Sequence, residues 1–469
     1  MRMRKSRYKY IAESESDNRA WTSKPDAGLF CFARHRSAVN KGEKMDSLLY
    51  TLSETVHKQN YAIATYHISL PKEVDVLKKA AALAVGQTIG TWIPIPGITE
   101  EIREKYMGKV VNVFDVPSLD LATQITGDQR EYLIQIAYPA VNFGTDLPLL
   151  ITALLGNDAS TSAQVKLLDI EFPEEFACKF RGPRYGIEGI QKFAGISNRP
   201  ILLNMIKPCT GLTPREGARI FYETALGGVD FIKDDELFGN PVYSKPEERV
   251  RAYREAAEAA YDKTGERVKY FVNITSGAGE IMENVKRAED AGADGLMINF
   301  AAMGYSVLKH VSKHTVLPIL GHSAGTGMCF EGAMNGMASP LAVGKLARLA
   351  GADIVMINTP YGGYPLLHQK YMQTVAQLTL PFYDIKPSMP SIGGGVHPGM
   401  VEKYIREVGK DVVLAAGGAV QGHPGGAAAG ARAMRQAIEI VMSGLPFEKA
   451  AAEKDELRTA LTQWNYIKS

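Results

Sequence analysis

The chain has 469 residues, 45% of them hydrophobic and 22% charged, with a formal net charge of +2. That length exceeds one compact domain, and the near balance of charge excludes a strong electrostatic commitment to nucleic acid or membrane. No apolar run reaches the roughly 18 residues that a bilayer span requires, and the four cysteines (Cys31, Cys178, Cys209, Cys329) form no CxxC pair. The expectation is a cytoplasmic protein in a reducing compartment with no zinc ribbon.

Residues 1–44 are polar, aperiodic and rich in Ser, Arg and Lys, and no apolar segment follows the basic start. They read as a disordered arm or as a mis-assigned start, with Met45 as the true one; Lys41-Gly42-Glu43 is encodable by a purine-rich stretch of the kind that precedes bacterial start codons. Residues 45–185 form a first domain. Alternation at 61–68 predicts a half-buried strand, 73–85 a helix, 109–114 and 132–138 strands, 147–155 a helix and 165–171 a last strand. That order indicates a small α+β (ferredoxin-like) domain.

Residues 186–469 carry a stronger pattern. Leu226-Gly-Gly-Val-Asp-Phe-Ile-Lys, Ala291-Gly-Ala-Asp-Gly-Leu-Met-Ile and Ala350-Gly-Ala-Asp-Ile-Val-Met-Ile each read as a helix-ending glycine running into a short apolar strand. Further apolar strands are expected at 201–207, 269–275, 318–323, 389–397 and 412–418, with amphipathic helices between them, for example at 214–225, 247–261 and 341–349. Eight continuous apolar strands alternating with helices indicate a closed (β/α)₈ barrel followed by C-terminal helices.

Working residues of such a barrel sit where its strands end. Reading those ends in order gives Lys207, Lys233-Asp234-Asp235-Glu236, Asn273, Asn299, His322, Asn358, and two glycine runs. Alternation puts Lys233 and Asp235 on one side, with Glu236 at the turn. Two carboxylates nearly make a Mg²⁺ site, but an ammonium has no lone pair to give. The lysine becomes sensible if Lys233 reacts with CO₂ to form a carbamate; otherwise the run is a solvated strand end. Gly394 and Gly395 close the seventh strand and Gly417 and Gly418 the eighth, where barrels commonly hold phosphate through backbone N–H groups. Each run taken singly reads as a turn. Lys207 is a candidate acid or base, and His322 is equally readable as a supporting residue.

The segment Gly228-Val-Asp-Phe-Ile-Lys-Asp-Asp-Glu236 resembles the signature of the ribulose bisphosphate carboxylase (RuBisCO) large chain. So do Ile89-Gly-Thr-Trp92, Ile206-Lys-Pro208 and Gly422-His-Pro424, and the resemblance runs from Tyr61 to the C-terminus. It implies a carbamylated Lys233 that ligates Mg²⁺ with Asp235 and Glu236, a proton-handling Lys207, and His322 near the metal. It also implies a phosphate site built from Gly395, Gly417 and Gly418, completed by Thr91 and Trp92 of a neighbouring subunit, hence a homodimer or larger homo-oligomer.

The departures bear on activity. The arginine, histidine and serine that hold the second phosphate in carboxylases fall at Ser323, Met356 and Gly393; the second active-site lysine is Cys209; the loop Pro360-Tyr-Gly-Gly363 has no lysine. A bisphosphate substrate and CO₂ addition are therefore not expected, and the pattern resembles the RuBisCO-like proteins. Their methionine-salvage enolases take a proton with a lysine whose aligned position here is Gln164, although Lys166 or Lys207 stands nearby as a substitute. Decarboxylation forms an enolate without that base. The leading expectation is thus a Mg²⁺-dependent lyase acting on a keto-sugar acid monophosphate of the oxo-isoapionate type. The alternative is a 2,3-diketo-5-methylthiopentyl-1-phosphate enolase, an isomerase. A further alternative is a catalytically inactive structural or regulatory barrel.

Overall fold

The computed structural model describes residues 46–91, 93 and 95–467; the expectations for residues 1–44 and for Trp92 lie outside them. The first part is a four-stranded antiparallel sheet of β1 (Tyr61–Pro71), β2 (Lys109–Val116), β3 (Gln129–Pro139) and β4 (Lys166–Glu171), in the order β2-β3-β1-β4. Alternation in β1 sends Ala64, Tyr66, Ile68 and Leu70 inward, and the helices Val76–Gly86 and Leu147–Leu155 cover that face with Ala80, Leu83, Leu150 and Leu154. Asp75 and Asp146 start these helices, each accepting a hydrogen bond from the first turn.

The second part is a closed parallel barrel of β5 (Ile201–Met205), β6 (Phe231–Lys233), β7 (Lys269–Asn273), β8 (Gly295–Asn299), β9 (Ile319–His322), β10 (Ile354–Asn358), β11 (Met389–Gly393) and β12 (Val413–Ala415). Side chains fill its interior, among them Leu203, Phe231, Phe271, Met297, Leu320 and Val413. Phe193, from the helix Gly186–Ala194, plugs the end where the strands begin, 5.8 Å from the Phe231 ring and 6.1 Å from that of Phe271. The plug leaves only the opposite end open, the end to which the polar strand termini point.

Two corrections apply to the predicted elements. Several barrel strands end one to four residues early, so Lys207 belongs to a loop, because strand pairing stops where polar groups turn into the mouth; Glu236 lies at the turn after β6, as expected. The helix expected at 341–349 is present over 340–350, but its first part, Pro340–Lys345, is wound as a π-helix before the α-helix Leu346–Ala350. Lys345 leaves that first part to reach Asp169 at 2.6 Å, tying β4 to the barrel. No helix among the described residues is long and apolar enough to cross a membrane.

Candidate active site

The acidic run at the end of β6 is divided by strand alternation. Asp234 points into the wall of the barrel, where it accepts hydrogen bonds from Arg249 Nε at 3.1 Å, the Tyr270 hydroxyl at 2.7 Å and the Asn273 backbone N–H at 2.9 Å. Arg249 is fully buried and also donates to the carbonyls of Phe238, Gly239 and Asn273. Asn273 Nδ2 donates to the Asp235 and Glu236 carbonyls at 3.1 and 3.2 Å, and Asn299 Nδ2 to the Glu236 carbonyl at 2.8 Å. These bonds hold the backbone of Asp235 and Glu236 from behind and leave both carboxylates for the mouth.

On the mouth side, Lys207 Nζ lies 2.6 Å from Asp235 Oδ2 and 3.0 Å from Cys209 Sγ. Lys233 Nζ lies 4.0 Å from Glu236 Oε2, and His322 Nε2 lies 3.5 Å from the same oxygen. Burial disfavours the Lys207 ammonium, but the bond and charge of Asp235 outweigh it and raise the pKa. Lys233 has no exposed surface; burial pulls its pKa down against the charges of Glu236 and Asp235. His322 is held neutral by burial, then by the charge of Lys233. Among the described residues no three His, Cys, Asp or Glu side chains are grouped to hold a metal. The donor set is two carboxylates beside a buried amine, and a carbamate on that amine would add the third anionic oxygen; such oxygen donors fit a hard divalent cation.

Above this floor is a cavity of about 1180 Å³. Lys207, Glu236 and His322 border it, as do Gly394, Gly395, Gly417 and Gly418. Lys233 and Asp235 lie beneath its surface. Gly394 and Gly395 have φ of 92° and 110°, a backbone that side-chain-bearing residues rarely adopt. At Gly417 a Cβ would collide with Met205. Thr91 is not brought to this cavity; its hydroxyl accepts from the Ile93 N–H at 3.0 Å. Gln164 is exposed, and Lys166 is committed elsewhere: its Nζ donates to the Phe330 carbonyl at 3.0 Å and to that of Gly332. Lys166 is therefore a tether for the loop after β9, not a free base.

Other contributors carried little sequence signal. Phe330 and Glu331 join Ser323, Met356 and Leu366 in the lining, with Met356 packed against Gly393, and His397 and Trp464 border the cavity as well. The loop after β10 packs on the glycines: Gly363 N–H donates to the Gly394 carbonyl at 2.9 Å, and a Cβ on Gly362 would collide with that oxygen.

A sealed barrel behind a four-stranded antiparallel sheet, with lysines, carboxylates and a histidine gathered at its strand ends, is the architecture of RuBisCO large chains. Residues 186–464 match the ribulose bisphosphate carboxylase large chain catalytic domain and residues 50–176 the N-terminal domain of the same chain. The chain belongs to this family. A ribulose bisphosphate carboxylase-like protein of Archaeoglobus fulgidus is 42% identical over 87% of this chain and 94% of its own. The 2,3-diketo-5-methylthiopentyl-1-phosphate enolase of Geobacillus kaustophilus is 37% identical over 86% and 98%. The crystal structure of a rubisco-like protein from Alicyclobacillus acidocaldarius superposes with a TM-score of 0.79 at 35% identity, covering 86% of this chain and 100% of that one. Within the family the chain is a RuBisCO-like, non-carboxylating member.

Proposed function

We propose that the chain is a Mg²⁺-dependent enzyme that tautomerises a ketone carrying one phosphate and an apolar tail, of the 2,3-diketo-5-methylthiopentyl-1-phosphate kind. The observation that carries this reading is the composition of the cavity lining. Gly394, Gly395, Gly417 and Gly418 offer backbone to one phosphate, Phe330, Met356 and Leu366 offer apolar surface, and among the described lining residues Lys207 is the one lysine or arginine, already paired with Asp235. A second phosphate would meet no further lysine or arginine among them and would face the Glu331 carboxylate, which is unfavourable in a partly desolvated site. A thioether tail suits a methionine- and phenylalanine-lined wall. The relatives named as enolases of that diketone agree with this reading over the leading expectation of a sugar acid.

In this mechanism the glycine backbone binds the phosphate and sets the distance of the carbonyl from the floor. Lys207, the lysine bordering the cavity, moves the proton at its Nζ, and Asp235 holds that amine in place. Asp235, Glu236 and a carbamate on Lys233 would hold Mg²⁺, which when bound supplies Lewis-acid stabilisation of the developing oxyanion. His322 stays neutral beside Glu236 and orients it. A second copy of the chain would lend Thr91 and Trp92 to the phosphate side, so the working unit is a homodimer or larger. One finding favours a second reading, decarboxylation of a β-keto acid phosphate: Gln164 cannot take a proton and Lys166 is spent on carbonyls.

The test is a parallel assay of solvent deuterium incorporation and CO₂ release over monophosphorylated diketones and β-keto sugar acids. Tautomerisation of the diketone without CO₂ release is expected. Turnover confined to the sugar acids, with CO₂ released, would replace the first reading by the second.

A further inference from the structure

We propose that Trp464, carried on the C-terminal segment, is a binding residue of the active site whose indole packs against the phosphate-bearing end of the substrate. The proposal rests on the phosphate role given above to the glycine side of the cavity. Trp464 is the last residue of the helix Asp455–Trp464, and it borders the same cavity as Lys207, Glu236 and the glycines. Its place at the cavity follows from the backbone next to it. Asn465 lies so close to Gly399 that a Cβ there would collide with the Asn465 carbonyl oxygen, and the Ile467 N–H donates to the Gly399 carbonyl at 3.0 Å. Gly399 stands four residues beyond Gly395 and two beyond His397, another lining residue. The indole is thereby carried by a segment bound to the loop that leads away from Gly395 and His397.

The segment is seated by more than that one bond. The Tyr466 ring stacks on Phe447 with centroids 4.8 Å apart and planes at 13°, and its hydroxyl donates to the Glu402 carboxylate. Asn465 takes φ of 58°, which turns the chain out of the helix and onto the Gly399 loop. The terminal segment and the loop that follows β11 thus form one unit. His397 adds an independent sign of a ligand on this side: its Nδ1 is buried with no hydrogen-bond partner in the structure. An anion lying between the glycine N–H groups and the indole offers that nitrogen an acceptor when it carries the proton. The indole brings a flat apolar wall and one N–H donor, which suits an anion whose carbon end must be kept dry.

The experiment uses the full chain and inorganic phosphate as the probe, followed by calorimetry and by tryptophan fluorescence. The sequence has three tryptophans, so the part of a phosphate-dependent fluorescence change that disappears in Trp464→Phe belongs to Trp464. Trp464→Ala is expected to weaken phosphate binding about tenfold, the scale of one aromatic contact, with an unchanged melting temperature. Trp464→Phe should keep most of the affinity, and with substrate the alanine variant should raise KM more than it lowers kcat. Gly395→Ala serves as the control for the glycine side. Loss of binding in Gly395→Ala with none in Trp464→Ala would overturn the role of Trp464 and leave the phosphate reading standing. Failure of the parent to bind phosphate at all would overturn both.

Discussion

Lys207 Nζ and Asp235 Oδ2 are 2.6 Å apart, and the carboxylate in that pair is almost wholly buried while the lysine is about one third exposed. The carboxylate that would ligate a cation is therefore, in its absence, the counter-ion of the lysine proposed above to move protons. Lys207→Met removes that counter-ion, and an unpaired buried charge costs about 3–5 kcal/mol. The variant should lose activity by about 10²–10⁴, as expected for removal of a general acid or base. It should also melt lower without metal, and added Mg²⁺ should restore much of the melting temperature by taking over Asp235. A thermal scan with and without Mg²⁺ checks this; a loss that Mg²⁺ leaves untouched would argue against Asp235 as a ligand.

Lys233 has no exposed surface, so Lys233→Arg should have two separable effects. Its guanidinium cannot form the carbamate, and pre-incubation with CO₂, which should activate the parent at fixed Mg²⁺, should do nothing for the variant. Forcing the larger side chain into a packed site should also cost about 1–3 kcal/mol. Activity and urea midpoint, each measured with and without bicarbonate, separate the two.

Arg249 and Asp234 form a fully buried pair behind Asp235 and Glu236. Arg249→Met should destabilise the protein by about 3–5 kcal/mol, because it strands the Asp234 charge. Adding Asp234→Asn should recover part of that loss, a coupling that a double-mutant cycle measures directly. Activity should fall in both variants, since the loop carbonyls of Phe238 and Gly239 lose their donor. Independent, additive effects would show that the two residues do not act as one frame.

His397 gives a pH dependence. Burial lowers its pKa from 6.5 to about 4 in the folded chain. Above 6.5 the ring is neutral in both states and contributes no difference. Between 6.5 and about 4 the unfolded chain takes up a proton that the folded chain refuses, so stability falls as pH drops through that window and levels off below it. Urea midpoints at several pH values should show this acid loss in the parent and a smaller one in His397→Gln.

The barrel was legible because glycine-ended helices running into strands of valine, isoleucine and methionine leave no other periodicity. The split between Lys233, Asp235 and Asp234 follows from the alternation of β6 continued over the two residues beyond its end. The partner of Asp234 did not, because an arginine on an amphipathic helix reads as a solvated charge until the loop that Arg249 fills has been built. Trp464 was hidden for a related reason. A tryptophan at the end of a last helix shows nothing of Gly399, far back along the chain, where the bond to Ile467 determines which wall it joins. The apolar part of the cavity lining depended on Phe330, brought in by a loop that Lys166 tethers from the N-terminal sheet.

The backbone contact between Gly363 and Gly394 ties the loop after β10 to the glycines that end β11. A side chain at 362 would push the loop off the carbonyl that anchors it, and a shift of that carbonyl would spoil the wall on which a ligand rests. A substitution at either place has therefore to be read at both: a side chain introduced on the loop would be felt in the cavity as a displaced wall.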